Sequence, residues 1–488
     1  MKKTCGVCAG LLALGLVGFG APATSARGRL AAGESGSGNE PATTSATSAA
    51  SAPSAVSPEE LRLRIEALKA ELNELNTELA ADMDQGTPTA SQDKTMGNMP
   101  MDKPADQGSP APASASQSAG PAAAPAAPAP LPNPSMAGPL STAVPHELGE
   151  GPFGKLEITG ILSGMGWTEG NYPHYLGDTP THWDVSNAQI FIQKTTGWWQ
   201  FYLQGGAYNL PALGTTFLST ADTVKNIYGP FPQGYLKLVK GNFNVEIGAL
   251  PTVIGAEYTF SFENMNIERG LLWNQENAVN RGIQLNDTYK KLTLAFTWND
   301  GFYSNKYNWL WGSAAWAFNS SNTLSFVAGG RFNGNGRNTL ATPLLLNNED
   351  IYNLIYTYTH GSWVISPYYQ YTVVQKNTTI GIGAGAHTNG GAILVTKNFK
   401  HGFSLAARPE YIKSSGTVLD PNAINLLYGP GSGAFGITIT PTYAKDGFFL
   451  RGDFSLVDAT KSTPGFVFGP TGTKTNQPRG VIEAGFMF

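Results

Sequence analysis

The chain has 488 residues, of which 14% are charged and 11% aromatic, with 31 Lys and Arg against 35 Asp and Glu. The charged share lies well below the roughly 25% of an average soluble domain, and a net charge of −4 leaves no basic surplus for nucleic acid. No window of about 18 uninterrupted apolar residues occurs, which excludes spanning helices, and the only cysteines, Cys5 and Cys8, leave the rest without disulfide or thiolate-metal chemistry.

Lys2 and Lys3 precede an apolar core from Leu11 to Phe19, and small residues follow from Ala21 to Ala26. This is the pattern of a secretory signal, so residues 1–26 read as a signal peptide cut after Ala23 or Ala26. Cys8 stands before the apolar core rather than after it, which argues against a lipoprotein, and both cysteines would leave with the signal. Residues 27–56 are Ser, Ala, Gly and Thr, with too little apolar surface to offset ordering entropy; they read as disordered.

Ser57-Pro58-Glu59-Glu60 then marks a helix start, a capping box with Pro at the first helical position. Leu61, Ile65, Leu68, Leu72, Leu75 and Leu79 follow at alternating steps of four and three, a heptad with Ile65, Leu72 and Leu79 at a and the others at d. A lone amphipathic helix would need a domain to pack on, and the flanks supply none. The spacing therefore predicts a short oligomeric coiled coil over 57–83. Residues 84–150 return to low complexity, ending in a Pro/Ala run from Gly120 to Pro130 that favours extended polyproline II. Signal, coiled coil and spacer together describe a tether.

From Gly154 the period becomes two. Lys155, Glu157 and Thr159 alternate with Leu156 and Ile158; Arg451, Asp453 and Ser455 alternate with Leu450, Phe454 and Leu456. A soluble sandwich would also alternate, but the connections here take turns in length. Brief turns near 195–197, 241–242, 288–290, 319–322, 360–361, 400–402 and 445–447 separate long polar loops around 166–184, 208–231, 251–278, 299–309, 333–349, 375–386, 414–434 and 459–477. Short turns at one rim and long loops at the other predict an all-β fold over 151–488, a transmembrane antiparallel β-barrel of about sixteen strands. Aromatics at expected strand ends, Trp198-Trp199, Trp298, Trp309, Trp311, Trp316, Tyr368-Tyr369 and Phe448-Phe449, suit interfacial girdles. The C-terminal Ile482, Ala484, Phe486 and Phe488 share one face and resemble the terminal strand by which barrel-assembly machinery recognises outer-membrane proteins.

The stretch from Tyr258 to Asn274, YTFSFENMNIERGLLWN, continuing to NRGIQL at 280–285, resembles the central signature of the β-barrel porin-2 (OmpL-like) family. That signature runs aromatic-Glu-Asn, then an Arg-containing turn, then a Gly-bearing strand. The tether and barrel also resemble coiled-coil-bearing DcaP-like porins. The resemblance implies an outer-membrane porin, a water-filled channel for passive diffusion of small hydrophilic solutes, in the outer membrane of a Gram-negative-type bacterium. The coiled coil would then lie in the periplasm, no cofactor would be needed, and outer-membrane lipid, the solutes, a homo-oligomer with a trimer favoured, and the assembly machinery reading Phe488 would be the partners.

Inward polar candidates on the wall are Lys237, Glu246, Lys291, Arg331, Arg408, Glu410, Arg451 and Asp453. Opposite signs two residues apart, as in Arg408/Glu410 and Arg451/Asp453, share a face and can neutralise each other, so a wall-stabilising ladder competes with a selectivity role. The longest loop, 251–278, carries Glu257, Glu263, Glu268, Arg269 and Glu276 beside Tyr258, Phe260, Phe262, Leu271, Leu272 and Trp273. A loop this apolar would not stay in water, so it is expected to fold inward as a constriction, its acids set against basic wall residues. An extra wall hairpin is the alternative. Scattered histidines without HExxH or GxSxG patterns argue against an enzyme. Two rivals to the porin remain: a structural barrel anchoring the envelope through its coiled coil, and a barrel-type outer-membrane hydrolase.

Overall fold

The computed structural model describes Leu140 and residues 146–151, 153–172 and 179–488. The signal peptide, the segment 27–56, the helix with its leucines and most of the linker lie outside the described residues. Among them run β1 (His146–Gly151), β2 (Gly154–Glu169), β3 (Thr181–Lys194), β4 (Trp199–Tyr208), β5 (Gln233–Lys240), β6 (Phe243–Pro251), β7 (Val279–Tyr289), β8 (Leu292–Asn299) and β9 (Trp309–Asn319). They continue as β10 (Asn322–Arg331), β11 (Glu349–His360), β12 (Trp363–Val374), β13 (Ala386–Asn398), β14 (Phe403–Ser414), β15 (Gly433–Lys445), β16 (Phe448–Thr460) and β17 (Asn476–Met487). One short helix, α1 (Thr220–Asn226), sits between β4 and β5, its first turn capped by Ser219.

Strands β2 to β17 pair antiparallel in chain order, and β17 closes on β2 through Arg479↔Glu169 to Met487↔Ile161. The result is a closed sixteen-stranded barrel. Closure satisfies every strand edge, the condition for crossing hydrocarbon without unpaired backbone groups. The seven short and eight long connections fall where the punctuation places them. Two-residue hairpins need left-handed backbone, and Asp446-Gly447 supplies it with φ of 51° and 81° between β15 and β16.

The strand β1 lies in the stretch read as linker. Its sequence, HELGEG, has two glycines and no alternation to betray it. It pairs with Gly154–Ile158 of β2 on the edge that β17 occupies higher up, from Ile161 to Glu169, so the two strands sit end to end. There Phe488 exchanges backbone hydrogen bonds with Gly160, and its ring covers the spot a Gly160 side chain would fill.

Side chains alternate between a lipid-type outer face and a buried interior. On β14 to β17 the outward positions are Leu405, Tyr411, Phe435, Ile439, Leu450, Phe454, Ile482 and Phe486, all 40% or more exposed. An apolar face of this extent suits hydrocarbon and not water. Trp183, Trp198, Trp298 and Trp316 also point outward near strand ends, and Tyr369 points outward from the middle of β12. Four members of the expected girdles do not: Trp309, Trp311, Tyr368 and Phe449 are buried in the interior. Neighbouring residues on a strand face opposite ways, so a pair such as Tyr368-Tyr369 can give only one ring to the lipid.

Candidate functional site

After Pro251 the chain leaves the wall and returns at Val279, and nearly everything between is buried. Two devices shape this segment. Asn264 ties it into a compact turn, accepting from the Tyr258 N–H at 2.8 Å and donating to the Tyr258 and Phe260 carbonyls. Further on, Arg269 forms a parallel bridge with Ala212, its N–H donating to Pro211 and its carbonyl accepting from Leu213. Apolar side chains then dock it: Met265 and Leu272 pack with Ile355, Leu394 and Ala406, and Ile267 packs with Met165 and Trp167. These partners all take interior positions on strands, which explains why the interior is less polar than simple alternation predicts.

Three guanidinium groups from one stretch of wall grip the segment. Arg408 on β14 donates to Glu257 at 2.6 Å, to the Glu268 carbonyl at 2.8 Å and to Glu410 at 3.2 Å. Arg451 on β16 reaches the Asn264 carbonyl at 3.0 Å and pairs with Glu483 at 2.7 Å. Arg479 on β17 holds Glu169 at 2.6 Å and Glu268 at 2.7 Å, and donates to the Ala212 carbonyl. The carboxylates accept backbone donors in return: Asp453 from the Glu268 N–H, Glu410 from the Leu271 N–H, Glu257 from the Gly270 N–H. Charges removed from water need such dense pairing, because an unpaired buried ion costs several kcal/mol.

Farther round the wall, from β12 back to β8, the contacts are sparser. Tyr368 donates to Glu276, Gln370 to the Leu272 carbonyl, and the Gly255 N–H to Asn353. Several buried polar atoms there find no hydrogen-bond partner among the described residues: Asn299 Nδ2, Asn308 Oδ1, both side-chain atoms of Asn347, both Glu349 oxygens and the Arg331 Nε. All belong to β8, β10, β11 or the connections leading into β9 and β11. Burial raises the Glu276 carboxyl to about 8 and that of Glu263 to about 7. Burial also lowers Arg269 to about 10, against the opposing pull of Glu257 and Glu483.

The expected wall residues are therefore dispersed. Arg408 and Glu410 pair as their spacing suggests. Arg451 takes Glu483 directly across the β16–β17 register instead of Asp453, which bonds Thr440 and the Glu268 N–H. Lys237 and Glu246 form a cross-strand pair of 3.0 Å on β5 and β6, away from the arginines. Lys291 lies in the exposed β7–β8 turn, donating to the Phe318 carbonyl, because the left-handed Lys290 delays β8 until Leu292. Of the loop acids, Glu257 and Glu268 touch wall arginines; Glu263 closes its own turn through the Phe260 N–H. The sequence reading missed Arg479, Glu483 and Glu169. Glu483 was findable, since it alternates with the outward Ile482 and Ala484.

A closed barrel of sixteen antiparallel strands with an apolar exterior and a long connection pinned to charged interior residues is an outer-membrane porin. The chain belongs to the family described as "Putative beta-barrel porin-2, OmpL-like", whose sequence model matches residues 155–488. No curated protein matches it. Among solved structures it is similar to an anion-selective porin from Comamonas acidovorans (12% identity, TM-score 0.45, covering 68% of this chain and 99% of that one). It is likewise similar to the outer-membrane channel DcaP of Acinetobacter baumannii (10%, 0.43, 68% and 97%) and to Salmonella typhi OmpF in complex with daunomycin (10%, 0.46, 70% and 100%).

Proposed function

We propose that the protein is a passive diffusion channel for small hydrophilic solutes, narrowed by the segment 252–278. The observation that carries this reading is the lopsided interior. On the β14–β17 side the wall arginines and carboxylates largely satisfy one another, although the Arg269 guanidinium of the segment does not, while among the described residues several buried amide and carboxyl atoms at the long-loop ends of β8–β11 have no protein partner. Buried polar groups without partners require water, so the hydrated route runs between the segment and the β8–β11 wall. Because Glu257 and Glu268 are in contact with their arginines, the strongest fields are local to the anchored side. Solutes would instead meet Arg331, Glu349 and amides, a mixed lining without a dominant sign. The coiled coil over 57–83 would associate chains in the periplasm, a trimer being favoured, and Phe488 would present the last strand to the assembly machinery.

Single-channel recording tests this. Removing 258–270 should raise the unit conductance about twofold or more, and an unchanged conductance would count against the narrowing. A second reading, the barrel as an envelope anchor, draws support from Leu140, which is buried with Ile161, Phe191 and Phe449 in the interior. That contact would make the tether a stopper at the short-turn rim, and a stoppered barrel gives no conductance steps.

A further inference from the structure

On the outside of the barrel, at the rim bearing the long connections, a cavity of about 410 Å³ is lined by His387, Asn389, Lys413, Ser415 and Lys461, with no acidic residue in its lining. Its position follows from the register. Asn389, Lys413, Gly433 and Thr460 are successive cross-strand partners on β13 to β16. His387, Asn389 and Lys413 are exposed on the outward face, while their neighbours Thr388 and Ser414 are buried. Gly433 contributes no side chain to that face, so a trough opens between Lys413 and Lys461. Neither ammonium has an ion pair among the described residues. The acid on the outward face of β16 is Asp458, the cross-strand partner of Phe435, and it does not line the cavity.

One layer toward the middle of the barrel, Tyr369 and Tyr411 point outward at 47% and 46% exposure, and Tyr369 donates to Asn389 at 2.9 Å. Phe435 and Ile393 continue the same face as an apolar surface. Cations above aromatic rings above hydrocarbon-type side chains is the layering of a bilayer interface. We propose that this cavity binds the phosphate-bearing headgroup of an outer-leaflet lipid, with its acyl chains along Tyr411 and Phe435. Two exposed lysines attract phosphate as point charges, and Ser415, whose oxygen accepts from the His387 N–H, keeps its own proton for a phosphate oxygen. A lipid gains what a free anion lacks, since its chains hold the headgroup at the wall and add apolar contact. The cavity opens toward the bilayer rather than the lumen, so a solute in transit does not pass it.

Native mass spectrometry of the full chain in detergent tests the assignment with three probes: bisphosphorylated lipid A, the same lipid dephosphorylated, and inorganic pyrophosphate. Each lysine near a membrane surface is worth about a factor of five in affinity, so K413A/K461A should bind the phosphorylated lipid roughly thirtyfold more weakly. K413R/K461R should retain it, and K413A/K461A should keep its heat-modifiable fold and its conductance. Equal retention of the two lipid forms, an unaffected double-alanine variant, or pyrophosphate bound as strongly as the lipid would each overturn the proposal.

Discussion

Arg408 holds acceptors from two separate parts of the chain, Glu257 and the Glu268 carbonyl in the inner segment and Glu410 on its own strand, with no exposure to solvent. Replacing it by Met would leave two carboxylates buried without their shared cation, a loss of about 3–5 kcal/mol. Arg408→Met should therefore lower the unfolding temperature in detergent and make 252–278 sensitive to protease, whereas Glu257→Gln, which keeps an acceptor for Arg408, should do much less. Glu276 gives a second prediction at this scale. Burial, reinforced by Glu257 and Glu410 and opposed by the Tyr368 hydroxyl, raises its carboxyl from an ordinary 4.5 to about 8. The docked segment thus binds a proton that the released segment gives up, and docking weakens as pH rises from about 4.5 to about 8. Hydrogen-exchange protection within 252–278, taken relative to the intrinsic exchange rate at each pH, should fall across that window and level off above it, and Glu276→Gln should flatten the dependence. Protection that is independent of pH between 5 and 9 would contradict it.

At the scale of elements, barrel closure rests on the join of β17 with β2. Gly485 is the residue of β17 that a side chain would drive into the Leu162 carbonyl and Ser163, and at Gly160 a side chain would strike the Phe488 ring. On refolding in detergent, without the assembly machinery, Gly160→Leu should accordingly reduce the folded, heat-modifiable fraction, while Phe488→Ala, which removes the ring, should let Gly160→Leu fold better than it does alone. All sixteen wall strands were legible before the structure, because a period of two and turns such as Asp446-Gly447 are local signals. The interior was not. Which wall residue meets Glu268 depends on chain segments some 200 residues apart, and no spacing rule links Arg479 to Glu268 or Glu483 to Ser261. Arg451 illustrates the limit: Asp453, two positions on, was the local candidate, and a register partner, Glu483, won.

For the whole molecule, the outer face is a hydrocarbon-facing belt, and the inner face is divided between a part where charged groups hold the segment and a part where buried polar atoms lack partners among the described residues. From residue 151 onward the chain carries 22 Lys and Arg against 20 Asp and Glu, a balance that on the proposed channel reading favours neither anions nor cations. A reversal potential near zero in a tenfold salt gradient is therefore expected, and a value close to the Nernst limit for one ion would show that a single group dominates the route. The most direct test of the account is conductance across a planar bilayer after reconstitution of the purified chain. Uniform, stepwise increments that grow when 258–270 is removed are predicted; a correctly folded barrel that produces no steps, with or without that stretch, would contradict it.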